Sequence, residues 1–171
     1  MTKRNFFQVF VLAVLWGGII SVSGFPASGL KPAQDEGNRQ KFYVTRVVSE
    51  ENVTDANEIL GEPDGRYAQI APGGQMVLFM EKRIYPSTTF DDGLVVCKGD
   101  ASYGLEGLFP VGNEQKKTDF AWMPLVRGQS PGGFRVAHVD AIGGNAGVNM
   151  IRIANAGTKP LFVDAVVGYG R

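Results

Sequence analysis

The sequence predicts an all-β domain, a two-sheet sandwich, on three observations. Its apolar runs are of strand length, clusters of turn-forming residues separate them, and no stretch beyond the N-terminal segment sustains an i, i+3, i+4, i+7 apolar pattern over three turns. Glycine (23 residues) and proline (9) fall mostly between the runs, where a positive or a fixed φ makes a turn. At least seven such runs argue for a sandwich over an α/β fold.

Taken in order, residues 1–24 read as a secretory signal peptide. Lys3 and Arg4 precede an apolar run that leads into the small residues Ser21, Ser23 and Gly24. The apolar stretch 6–20 is shorter than the roughly 20 residues a membrane-spanning helix needs. No cysteine follows the small residues, which argues against a lipid-anchored lipoprotein. Cleavage there leaves about 147 of the 171 residues, enough for one domain with a sizeable core. Residues 25–41, rich in Pro, Gly, Gln, Asp and Lys, read as a flexible leader that buries too little to offset its ordering entropy. The domain occupies 42–171, with strand-like runs at 42–48, 76–80, 94–98, 120–126, 134–139, 148–154 and 161–167. One short helix is expected at 53–60, capped by Thr54 or Asp55 and ended by Gly61-Glu-Pro-Asp-Gly65. Asn52-Val-Thr54 fits the acceptor pattern for N-glycosylation, which matters only in a host that glycosylates.

Charge and cysteine count narrow the function classes. Lys and Arg (17) balance Asp and Glu (17) with no basic concentration, so nucleic acid is not the natural partner. Cys97 is the single cysteine, so no intramolecular disulfide forms. With one His and one Cys, a zinc site of the usual Cys/His type cannot be assembled.

Three groupings carry chemistry on paper. Gly128-Gln-Ser-Pro-Gly132 matches the G-x-S-x-G nucleophile elbow, but a second strand-like run follows where the elbow needs a helix, and no acid lies between Ser130 and His138. The segment is expected to be a turn between strands. Cys97 and His138 both sit in apolar runs, which suits a buried thiol better than a nucleophile and its base. Asp64, Asp91, Asp92, Glu106, Asp140 and Asp164 supply carboxylates for acid–base work, yet most lie at turns, where Asp is common anyway. Asp164 differs, because alternation sets it on the face of Phe162 and Val166. A charge there needs a cation, a cluster of backbone N–H groups, or an arginine such as Arg152. The Gly143-Gly-Asn-Ala-Gly147 stretch lacks the Lys-Ser/Thr of a phosphate loop and reads as a connection between strands.

The stretch Ala56-Asn-Glu-Ile-Leu-Gly-Glu-Pro-Asp-Gly-Arg-Tyr-Ala68, followed by Asp92-Gly-Leu-Val-Val96, Trp122-Met-Pro-Leu125, Ile151-Arg-Ile153 and Val163-Asp-Ala-Val166, resembles the galactose-binding-like (discoidin and carbohydrate-binding-module type) modules of secreted proteins. The resemblance covers roughly residues 42–169. It implies a single jelly roll of eight or nine strands with ligand loops at one end. It also implies a structural calcium ion, which maps here onto Asp64 and Asp164, although Pro63 precedes Asp64 and an Asp stands where many members have Glu. Sugar-binding members stack ligands on loop aromatics, which correspond to Tyr67, Tyr85, Phe90, Tyr103 and Phe109; Trp122 is expected in the core.

The expected function is an exported, non-catalytic binding or adhesion module, secreted, periplasmic or at the cell surface, that recognises carbohydrate or an extracellular protein. The alternatives are a carboxylate-based polysaccharide hydrolase and a structural envelope or matrix protein. Two carboxylates facing each other across a cleft would favour the hydrolase, an exposed aromatic strip the sugar binder, and a flat apolar patch the structural role.

Overall fold

A computed structural model describes residues 39–87, 89–99, 102–111, 119–136 and 147–170. The signal peptide and nearly all of the leader, together with His138, Asp140 and most of the Gly143–Gly147 connection, lie outside the described residues.

The described residues form nine antiparallel strands: β1 (Lys41–Thr54), β2 (Ala68–Ile84), β3 (Gly93–Lys98), β4 (Tyr103–Val111), β5 (Asp119–Pro124), β6 (Val126–Arg127), β7 (Gly133–Arg135), β8 (Val148–Asn155) and β9 (Leu161–Tyr169). Hydrogen bonds join them in the order β5-β4-β8-β2-β1-β9-β3-β7-β6. Only Leu125 separates β5 from β6, so the two ends of that order are consecutive pieces of one bent strand. The sheet therefore closes on itself.

The core follows from alternation. Val44, Ile70, Met76, Leu78, Met80, Phe109, Ile151, Ile153 and Val163 are buried and point inward from successive strands. Strand β1 is long and irregular, with three register shifts against β2 that bend it around the core. Its first residues, Lys41 to Tyr43, pair with β9, and its last, Val53 and Thr54, pair with Ile70 and Gln69 of β2.

The expected helix is shorter than its pattern suggested. Val53 and Thr54 stay in β1, where β-branched side chains fit, and only Ala56–Ile59 turns, as a 3-10 helix. Asp55 stands at its N-cap in a left-handed conformation, without a capping bond from its side chain. The turn drives Ile59 into the core and ties Gly61 N–H to the Val44 carbonyl. Strand β4 was not legible as a strand, because Gly104, Gly107 and Pro110 interrupt its apolar residues. Among the described residues, no helix is long and apolar enough to cross a membrane.

Candidate functional site

Asp91 organises one side of the candidate site. It is buried, and its Oδ1 and Oδ2 accept the backbone N–H groups of Gln129 (2.7 Å) and Ser130 (2.8 Å). The turn closes around that carboxylate through Gly133 N–H to the Ser130 carbonyl and Gly128 N–H to the Gly133 carbonyl. Its glycines are there for room: a Cβ on Gly128 or Gly133 would stand 2.3 Å from an Asp91 oxygen. The G-x-S-x-G pattern is thus a carboxylate-wrapping turn between β6 and β7, in which Ser130 serves through its main chain.

That turn forms one wall of an open cleft of about 680 Å³. Strand β3 pairs with β9 along its whole length, but its register with β7 covers only Gly93 and Leu94, extended by Val95 N–H to the Gly132 carbonyl. The edge from Val96 onward is left facing the cleft. On the far side β4 pairs with β8 from Tyr103, whereas its register with β5 starts at Glu106, with Leu125 N–H bonded to the Leu105 carbonyl. Residues 94–97 of β3 line it together with Leu105 and Leu125, and Tyr103 and Arg127 are polar elements of the lining.

Electrostatics there favour binding over nucleophilic chemistry. Burial pushes the Cys97 thiol up from its ordinary pKa, so it stays protonated near neutral pH. Burial, and then the nearby Cys97, push the Tyr103 hydroxyl up, opposed by the Arg127 charge, and keep it a neutral donor and acceptor.

The predicted ligand residues do not assemble. Only Tyr103 lines the cleft. Tyr67 lies under the Lys98 ammonium at 5.8 Å, and Phe90 under the Arg39 guanidinium at 5.6 Å. Tyr85 is exposed just beyond β2. Phe109 is fully buried, because β4 is a strand there and not a loop, and it offers no ring face to a ligand. Trp122, expected in the core, is instead half-buried on the outward face of β5, under the Arg152 guanidinium at 4.9 Å. Nothing in the sequence distinguishes Arg127, or singles out Asp91 from the other carboxylates.

The two expected metal residues do meet, in an unexpected way. Val96 pairs with Ala165 and Cys97 with Val163, so Asp164 is the extra residue of a bulge in β9. Its carboxylate accepts the N–H groups of Asp64 (3.0 Å) and Gly65 (3.1 Å), the backbone cluster its burial required, while Arg152 pairs with Glu106. The Asp64 carboxylate accepts the Arg66 guanidinium at 2.8 Å, and that bond holds it below the usual carboxylate range. In this arrangement two backbone N–H groups balance the Asp164 carboxylate and the Arg66 guanidinium balances that of Asp64, so neither charge requires a cation. Among the described residues no group of three or more His, Cys, Asp or Glu side chains gathers to hold a metal.

Asp92 is the other buried acid. Its Oδ2 accepts Val136 N–H at 2.8 Å, and its Oδ1 has no partner among the described residues. Burial raises its pKa, against the nearby N–H groups of Val136 and Ser87 and the charges of Arg135 and Arg39. No protein family, curated protein or solved structure matches this chain.

Proposed function

We propose that this chain is an exported, non-catalytic binding module, a single jelly roll that takes carbohydrate or another extracellular surface ligand in the cleft between β3, β4 and the 128–133 turn. The strand order supports the jelly roll. With β5 and β6 counted as one strand, the ring runs first, eighth, third, sixth, fifth, fourth, seventh, second, the order of two interleaved Greek keys. The observation that carries the binding role is the cleft itself, whose lining mixes apolar side chains with exposed backbone, the neutral Tyr103 hydroxyl and the Arg127 guanidinium. The hydrolase reading draws nothing from the paired acids: the Glu106 carboxylate is held by Arg152, and that of Asp91 by two amides.

A glycan array followed by calorimetry tests this reading. Binding of a glycan that weakens at least tenfold in both Tyr103→Ala and Arg127→Ala is the expected result. A bound glycan indifferent to both changes would remove the cleft from the proposal, and turnover of that glycan would replace the binding module with an enzyme.

A further inference from the structure

In β3, Val95 donates its N–H to the Gly132 carbonyl, on the side away from β9. Main-chain groups alternate sides along a strand, so the N–H and C=O of Cys97, two residues on, point the same way, towards the cleft that Cys97 lines. Strand β7 does not reach them, because its register with β3 ends at Leu94. Across the cleft β4 repeats the pattern. Ser102 C=O takes Ala156 N–H on the β8 side, and Leu105 C=O takes Leu125 N–H on the other, which turns the N–H and C=O of Tyr103 away from β8. Strand β5 stops short of them as well, since its register begins at Glu106. Two sheet edges thus border the cleft, and no described strand pairs with either at these positions.

Exposed edges are usually guarded by charge, proline or a bulge. Here residues 94–97 carry no charged side chain, the bulge opposite them lies in β9, and Lys98 holds its ammonium over the Tyr67 ring at 5.8 Å. Gly99 stands in open space, with nothing within 4 Å of where a Cβ would be. Val96, Leu105, Leu125 and Val126 line the space beside the edge, and Arg127, also in the lining, makes no ion pair among the described residues. A sugar stacks on an open ring face, whereas the rings among the described lining residues, Phe134 and Tyr103, are buried and half-buried. Unpaired main chain beside apolar side chains suits a polypeptide strand instead.

On the reading of this cleft as the binding site, we propose that its ligand is an extended acidic peptide that joins β3 as an added strand, antiparallel to it and continuing the line of β7. The peptide residue opposite Cys97 exchanges both main-chain hydrogen bonds with it, and that exchange sets the register. Alternate side chains of the peptide then lie against the apolar lining, and one of its carboxylates pairs with Arg127.

Fluorescence anisotropy with labelled hexapeptides that alternate valine with threonine, and carry glutamate or lysine at one end, provides the test. A glutamate peptide should bind, and should weaken about tenfold or more in Arg127→Glu, while the lysine peptide does not weaken. N-methylation along the bound peptide should cost about tenfold or more at one residue and less than about threefold at its two neighbours, whose N–H groups point away from β3. Methylated probes leave the protein unaltered, so misfolding cannot mimic that pattern. Hydrogen exchange of the Cys97 amide should slow about tenfold or more when the peptide is bound. A bound peptide with a flat N-methyl scan and an unprotected Cys97 amide overturns strand addition and leaves the cleft as a binding site. Tyr103-dependent binding of a glycan, with no peptide bound, overturns the peptide and also leaves the cleft; if neither ligand binds, both readings fall.

Discussion

Two adjacent acids show how much a single side chain can ask of its surroundings. Asp91 and Asp92 are both buried, yet Asp91 has an amide for each oxygen, whereas among the described residues Asp92 has one partnered oxygen and one orphan. Neither role could be read from the sequence, where Asp91-Asp92-Gly93 looks like turn material; partners 38 to 44 residues away decide them. Because its folded pKa lies above the unfolded value, Asp92 adds stability at pH below the unfolded carboxylate range, and that contribution is lost as pH rises through the folded pKa. Asp92→Asn should accordingly raise the melting temperature at pH 7, by about 1–2 kcal/mol in stability, since the neutral amide removes a poorly solvated charge. The gap should close as pH falls towards about 4. Melting curves of parent and variant across that range check both parts.

At the level of elements, the strands with clean alternation were legible and those carrying glycine were not. The runs 94–98, 148–154 and 161–167 match β3, β8 and β9 to within two residues at either end. Strand β4 was missed because Gly107 looks like a breaker. It is a packing residue instead, since a Cβ there would meet Val148 and Phe109. The same glycines make Phe109 look like a loop residue, although it is a buried strand residue. The 128–133 turn was recognised as a turn, but its reason, the Asp91 carboxylate, was invisible without tertiary contacts. Gly133→Ala should destabilise the domain by about 2–4 kcal/mol, through a Cβ pressed against that carboxylate and the hydrogen bonds it would break. Ser130→Ala should stay within about 0.5 kcal/mol, because the backbone N–H makes the recorded bond. Denaturant unfolding of the two variants separates main-chain from side-chain roles.

For the molecule as a whole, the all-β class was legible from periodicity, while the closed order of strands was not, because closure depends on one strand bending at Leu125 between two partners. The meeting of residues 64–65 with Asp164 was anticipated as a clip between distant segments. Here the clip consists of hydrogen bonds: β1 and β2 part along the flank of β9, and the Asp64–Gly65 backbone fills the gap opposite its bulge. Asp164→Ala should cost about 2–3 kcal/mol, by orphaning two amides, and adding calcium or excess chelator should leave the parent's midpoint unchanged. A calcium-dependent midpoint that Asp164→Asn abolishes would instead restore the ion to this position.

The pairing of β1 with β9 also sets where the described chain enters and leaves. Lys41 lies opposite Tyr169, and Gly170 N–H bonds the Gln40 carbonyl at 2.7 Å, so both ends emerge through one doorway at the same rim of the ring. A fold with its ends side by side can be joined there and reopened at an exposed bend without breaking its strand order. Circular permutation is therefore open to this scaffold, and so is insertion of the entire domain into a surface loop of another protein, where it would hang from two neighbouring stalks.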